Sequence, residues 1–142
     1  MTDCWDIGLI EANHVTNYNY GKKKEKQIRP LLNRYFNDKL RQTSTFCPWD
    51  FVGSTGVTYE IKSRKISSRH WAETILAVNK IKPNVLTQYF IFNFTDRIMY
   101  IKYDPNIFAF FRREITGSIE PSSGRQKVYF KIPIDALTEM TL

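Results

Sequence analysis

Pro48-Trp49-Asp50-Phe51-Val52-Gly53-Ser54-Thr55-Gly56-Val57-Thr58-Tyr59-Glu60-Ile61-Lys62 holds two short apolar runs on either side of a loop bounded by Gly53 and Gly56. β-Branched and aromatic residues favour strands, and glycines permit the turn between them. The stretch therefore predicts a strand over 48–52 and a second from Val57 to Arg64. Side chains alternate along a strand, so Val57, Tyr59 and Ile61 share one face and Thr58, Glu60 and Lys62 the other. An acid and an amine then stand side by side on a rigid element. If the hairpin closes, Asp50 brings a second carboxylate alongside them.

Working outward, Lys22 to Leu40 predicts a helix, with Ile28, Leu31, Leu32, Tyr35 and Phe36 recurring on one face. Pro30 inside it should kink the helix or reset its start. Residues 1–20, with Asn13, Asn17, Asn19, Tyr18 and Tyr20, predict a loop or an irregular helix. Downstream, Ser67 and Ser68 are N-caps for a helix through Lys82, with Trp71, Ile75 and Val78 turned to the core and Pro83 as the stop. Gln88 to Phe94 is a nearly continuous apolar run, which predicts a strand covered on both faces. Thr95-Asp96-Arg97 turns it into a strand from Ile98 to Tyr103. Asp104-Pro105 caps a helix reaching about Glu114. An exposed loop over 117–124, a strand over 126–132 and a short helix over 134–140 complete the chain. The expected fold class is α/β, a single mixed central sheet flanked by helices, in one domain spanning residues 1–142.

Composition narrows the function classes. The 142-residue chain has a net charge of +7, a surplus that favours polyanions because each neutralised phosphate releases counterions. No apolar run approaches the roughly 18 residues of a membrane span. The acidic start, Met1 to Asp6, argues against a secretory signal, so a cytoplasmic or nuclear location is expected. Cys4 and Cys47 have no short spacing and read as reduced or incidental thiols. Phosphate-binding glycine loops, dinucleotide fingerprints, nucleophile elbows and zinc patterns are all missing from the sequence. Two carboxylates and a backbone carbonyl, by contrast, are hard oxygen donors suited to Mg²⁺ or Mn²⁺. A neighbouring ammonium can orient a water or balance charge on a phosphoryl group.

Asp50 followed by Glu60-Ile61-Lys62 resembles the signature of the restriction-endonuclease-like, or PD-(D/E)XK, nuclease superfamily. The resemblance covers the order of elements from about residue 20 to 103. It implies that Asp50, Glu60 and the Ile61 carbonyl bind Mg²⁺ (or Mn²⁺) and that Lys62 assists hydrolysis. It also implies a glutamate on the preceding helix; Glu25 fits best, with Glu11 the alternative. One departure is that Pro48 stands two residues before the aspartate, with Trp49 between. The function implied is endonucleolytic hydrolysis of DNA, in which water attacks in line, the 3′ oxygen leaves and a 5′ phosphate results. The substrate would be double-stranded or branched DNA, and cutting both strands would require a homodimer. Two alternatives stand beside it: a catalytically inactive nucleic-acid-binding domain of the same fold, and a nuclease acting on RNA.

Arg64, Lys65 and Arg69 follow the acidic strand directly and are candidate phosphate contacts, with Lys80 a further one. Each also has a plainer reading as a solvated surface charge, as do Lys22-Lys23-Lys24 and Lys26. Glu60 and Lys62 themselves could be ordinary solvated charges on an exposed strand. His14 and His70 lack a metal-ligand partner at useful spacing. The aromatics Tyr89, Phe90, Phe92, Phe94, Phe108, Phe110 and Phe111 read mostly as core rather than as a base-stacking platform.

Overall fold

The computed structural model describes residues 12–43, 50–119 and 126–141. Glu11, Pro48, Trp49, Cys4 and Cys47 lie outside the described residues. The long helix α1 spans Ala12–Tyr35, so it begins ten residues before the predicted start and runs through Pro30. Ile28 and Leu32, one turn apart, are fully buried on its inner face. The helix ends where Asn37 takes a positive φ of 49°, a left-handed conformation asparagine tolerates at a helix C-terminus. The following chain is tied back by Arg29, whose Nη2 donates to the Leu40 carbonyl at 2.7 Å, and by Asn33 Oδ1, which accepts from Leu40 N at 3.0 Å.

Strands β1 (Arg41–Gln42), β2 (Phe51–Val52), β3 (Thr58–Ser63), β5 (Gln88–Asn93), β6 (Ile98–Lys102) and β9 (Thr138–Glu139) form a six-stranded mixed sheet in the order β1-β2-β3-β5-β6-β9. The β2–β3 hairpin is antiparallel, pairing Phe51 with Tyr59, whereas β3 and β5 run parallel, pairing Glu60 with Phe90 and Lys62 with Phe92. The hairpin turn is pinned to the chain after α1. Asp38 Oδ1 accepts from Ser54 N at 3.0 Å and Ser54 Oγ at 2.8 Å, and Oδ2 accepts from Tyr59 Oη at 3.1 Å. A Cβ on Gly53 would overlap this carboxylate. The close approach requires glycine there.

A second sheet corrects the expectation of a single one. Strands β4 (Glu73–Ala77), β8 (Gln126–Pro133) and β7 (Arg112–Ile119) pair antiparallel in the order β4-β8-β7. The helix expected over 67–82 is therefore a strand, followed by a single 3-10 turn at Val78–Lys80. Burial alternates along β4, with Thr74 and Leu76 inward and Ile75 at 39% exposure, while Trp71 is 64% exposed. The helical spacing of Trp71, Ile75 and Val78 was coincidental, and pairing with β8 decides the conformation. Likewise Ser68 caps no helix; its hydroxyl donates to Asp96 Oδ2 at 2.7 Å.

Asp104 does cap a helix, accepting from Asn106 N at 2.9 Å, but α2 is only Pro105–Phe108 and β7 follows at Arg112. Phe108 is core, whereas Phe110 is 89% exposed. The C-terminal stretch forms a 3-10 turn, Ile134–Ala136, and the edge strand β9 in place of the expected short helix.

The six-stranded sheet is covered on both sides, as the apolar run of β5 predicted. Tyr59, Ile61 and Ile91 pack with Ile28 and Leu32 of α1 on one face. Phe90 and Phe92 pack on the other with Leu76, Phe130 and Ile132 of the three-stranded sheet and Phe108 of α2. Full burial of each such phenylalanine contributes roughly 1.5–3 kcal/mol, so these layers fix the β3–β5 pairing firmly. The architecture is mixed α/β with few helices. Among the described residues, no helix is long and apolar enough to cross a membrane.

Candidate active site

Glu60 and Lys62 lie on the β3 face that looks toward the three-stranded sheet, because their parallel partners Phe90 and Phe92 do so. The Glu60 residue is only 6% exposed, which excludes an ordinary solvated charge. Asp50 arrives one step before the Phe51–Tyr59 pair, its N–H donating to the Tyr59 carbonyl at 3.1 Å. The Asp50 side chain turns onto β3, where Oδ2 accepts from Ile61 N at 2.6 Å.

Glu25 comes from α1. It precedes Ile28 and Leu32 by three and seven residues, so it belongs to the buried stripe rather than the solvent face, and it is 8% exposed. An acid on an apolar stripe needs a partner or a function. Its carboxyl lies near enough to that of Asp50 for the two to repel, and Lys22 Nζ lies 3.3 Å from its Oε2. Burial holds the Asp50 carboxyl well above the usual carboxylate range, and the charges of Glu60 and Glu25 push it the same way against the Ile61 hydrogen bond. The fold thus crowds three acids that repel one another.

Two ammonium groups offset part of that repulsion. Lys62 Nζ and Lys80 Nζ each stand 3.2 Å from Glu60 Oε1. Burial lowers the pKa of Lys62, with Lys80 adding to the effect and Glu60 opposing it. For Lys80, burial acts downward but is outweighed by the charge and hydrogen bond of Glu60, so its pKa is raised. Glu60 Oε2, in contrast, is buried with no hydrogen-bond partner. A buried carboxylate oxygen left unpaired is costly and marks a place where a further donor or cation belongs.

The partnership of Lys80 with Glu60 was not legible from its place beside Pro83. Its position depends on Gln88, which is 4% exposed and clasps the Lys82 backbone on both sides. Gln88 Oε1 accepts from Lys82 N at 3.2 Å and Nε2 donates to Lys82 O at 3.1 Å. A buried glutamine at the start of an otherwise apolar strand was the available signal.

The other basic residues are placed differently. Arg64 Nη2 donates to the Ile75 carbonyl at 2.8 Å and its guanidinium lies 5.8 Å from the Phe92 ring centre. Arg69 Nη1 bonds Asp96 Oδ2 at 2.8 Å. Lys65 is exposed, its Nζ 4.6 Å from the Tyr20 ring centre. These three lie along or beyond the end of β3, outside the acid cluster.

No family model, curated protein or solved structure matches the chain. The chemistry of the site therefore rests on its own residues. Among the described residues, no group of three or more His, Cys, Asp or Glu side chains is placed so that it could hold a metal ion. The lysines on Glu60 Oε1 supply its counter-charge, and its Oε2 stays unpaired near the Asp50 carboxyl; carboxylate oxygens are the donor type a hard divalent cation takes.

Proposed function

We propose that the chain is a Mg²⁺- or Mn²⁺-dependent endonuclease with the restriction-endonuclease-like, PD-(D/E)XK arrangement, hydrolysing phosphodiester bonds in DNA. The observation that carries the reading is the buried Glu60, with two lysines on one oxygen and nothing on the other, beside the Asp50–Glu25 carboxyl pair. Burying that much charge is expensive for a structural role that apolar residues would fill better. The β2–β3 hairpin and the parallel β5 supply the strand framework that the arrangement requires.

Asp50, Glu60 and the Ile61 carbonyl would hold the cation, with Glu25 reaching it through water. The cation supplies Lewis acidity toward the phosphoryl oxygens and lowers the pKa of bound water. Lys62 holds the attacking water or a non-bridging phosphate oxygen by hydrogen bonding from a partly desolvated ammonium, where such a contact is strong. Lys80 offsets the charge of Glu60 and would be free to face the phosphate with a cation bound. The exposed Lys65 lies where a neighbouring phosphate would pass.

A second reading has one observation in its favour. Glu60 already carries counter-charge from its two lysines, as a metal-free nucleic-acid-binding domain of the same fold would require. Pure protein incubated with plasmid and branched DNA in Mg²⁺, Mn²⁺ or EDTA separates the two. Cleavage that EDTA abolishes supports the nuclease; tight binding without cleavage of any DNA or RNA supports the binding domain.

A further inference from the structure

A cavity of about 590 Å³ opens past the end of β3, lined by Arg64, Ile66, Trp71, Thr74, Phe94 and Ile134 among others. Its size falls in the range of small-molecule sites, roughly 300–1,000 Å³. Arg64 lies two residues past Lys62, just beyond the end of β3, so their backbones are about 7 Å apart. That spacing is about two nucleotide rises at ~3.4 Å each. The floor is apolar, from Ile66, Phe94 and Ile134, and Phe94 is 5% exposed.

The lip is aromatic, and the rim carries Arg64 and Lys131 with one acid, Glu73, whose charge Arg112 offsets at 2.8 Å. Trp71 is 64% exposed, and His70 packs edge-on against it with ring centres 4.7 Å apart. A large indole left in water on a structured loop has no packing role to explain it. Arg64 follows β3, whose Glu60 and Lys62 face the three-stranded sheet to which the cavity residues Thr74 and Lys131 belong. An apolar slot with an aromatic lip and a cationic rim suits a flat heteroaromatic ring attached to a phosphate.

We propose that this cavity receives an unpaired nucleobase of the nucleic-acid strand bound at the acid cluster, stacked on Trp71, with Arg64 facing the adjoining phosphate. The proposal rests on the nuclease reading for its choice of ligand. It deepens that reading by naming the substrate class: nucleic acid with unpaired or displaced nucleotides near the cut, in preference to uninterrupted duplex. A fully paired base cannot enter the slot without the cost of unstacking, which a gap or branch has already met.

The test compares binding of a gapped duplex and an uninterrupted duplex of equal length, by fluorescence anisotropy in Ca²⁺. Wild type should favour the gapped substrate. Trp71→Ala should reduce the gapped-to-continuous affinity ratio about fivefold to a hundredfold, the scale of losing one stacked base, and Trp71→Phe should retain most of it. Ala72→Phe, which fills the cavity from another position, should reproduce the loss. A wild-type ratio of one, or a ratio unmoved by both Trp71→Ala and Ala72→Phe, overturns the proposal. The nuclease reading is scored separately by cleavage in Mg²⁺: no cleavage with the expected ratios sinks that reading and leaves the cavity assignment standing.

Discussion

Lys80 Nζ lies 3.2 Å from Glu60 Oε1, the same oxygen that Lys62 Nζ reaches at 3.2 Å. Two cations on one buried carboxylate oxygen hold it against desolvation. Removing a buried charge's only partner costs about 3–5 kcal/mol, and here Lys62 would remain. Lys80→Ala should therefore destabilise the metal-free protein by a smaller amount, about 1–2 kcal/mol. Urea unfolding in EDTA checks this. An unchanged midpoint would show that the Lys80–Glu60 contact carries no weight.

Asp50 sits among like charges, so its replacement should separate stability from function. Asp50→Asn keeps an oxygen to accept from Ile61 N but removes one repelling charge. In EDTA the variant should match or exceed wild type in melting temperature, as expected where a site is strained for function. Added Mn²⁺ should raise the melting temperature of wild type through preferential binding to the folded state and should not raise that of the variant. Equal Mn²⁺ stabilisation of both proteins would remove Asp50 from the cation site.

Asp96 joins two loops by accepting from Ser68 N at 2.7 Å, Ser68 Oγ at 2.7 Å and Arg69 Nη1 at 2.8 Å. The Ser68 backbone hydrogen bond, more than any other contact, holds its carboxyl far below the ordinary value of 3.8. A depressed folded pKa means that the contribution is fully present above the unfolded value and fades as pH falls through the folded one. The urea midpoint of Asp96→Asn should fall short of wild type at pH 6, and the gap should narrow below pH 3.8. A gap that is constant down to pH 2 would mean that the ionised form is not what binds the loops.

How much of this the sequence revealed depended on the range of the interaction that decides each element. Asp50, Glu60 and Lys62 come together through a local hairpin and a two-residue period, both written within fifteen residues. Gln88–Asn93 announced itself because a strand covered on both faces needs an uninterrupted apolar run. Glu25 came only from the family resemblance, which implies a glutamate on the helix before the hairpin; its place on the buried stripe shows in the structure. Residues 73–77 were misread because their partner, β8, lies more than fifty residues on, and helical spacing there arose by chance. The two-residue edge strand β9 was hidden because its partner β6 lies about forty residues earlier, and the Lys80–Glu60 pair because it needs the 3-10 turn after β4, not a helix, to set Lys80.

Lys65 is exposed, and cation–π contact with Tyr20 holds it beside α1. As a phosphate contact it should add to the salt dependence of binding. Lys65→Ala should lower the slope of log affinity against log salt on duplex DNA by about 0.9 without altering the metal requirement. A slope equal to that of wild type would take Lys65 out of the interface.

The central claim is that the Glu60–Lys62 face performs phosphodiester hydrolysis, and Lys62 tests it most directly. A contact made chiefly in the transition state lowers the rate of the chemical step with little effect on substrate affinity. Single-turnover cleavage by excess Lys62→Ala in Mg²⁺, measured beside a binding isotherm on the same DNA in Ca²⁺, should show near wild-type affinity and cleavage slower by about a hundredfold or more. Lys62→Arg should recover little, because a planar guanidinium cannot replace a compact ammonium in so tight a space. Cleavage by Lys62→Ala at the wild-type rate would contradict the account.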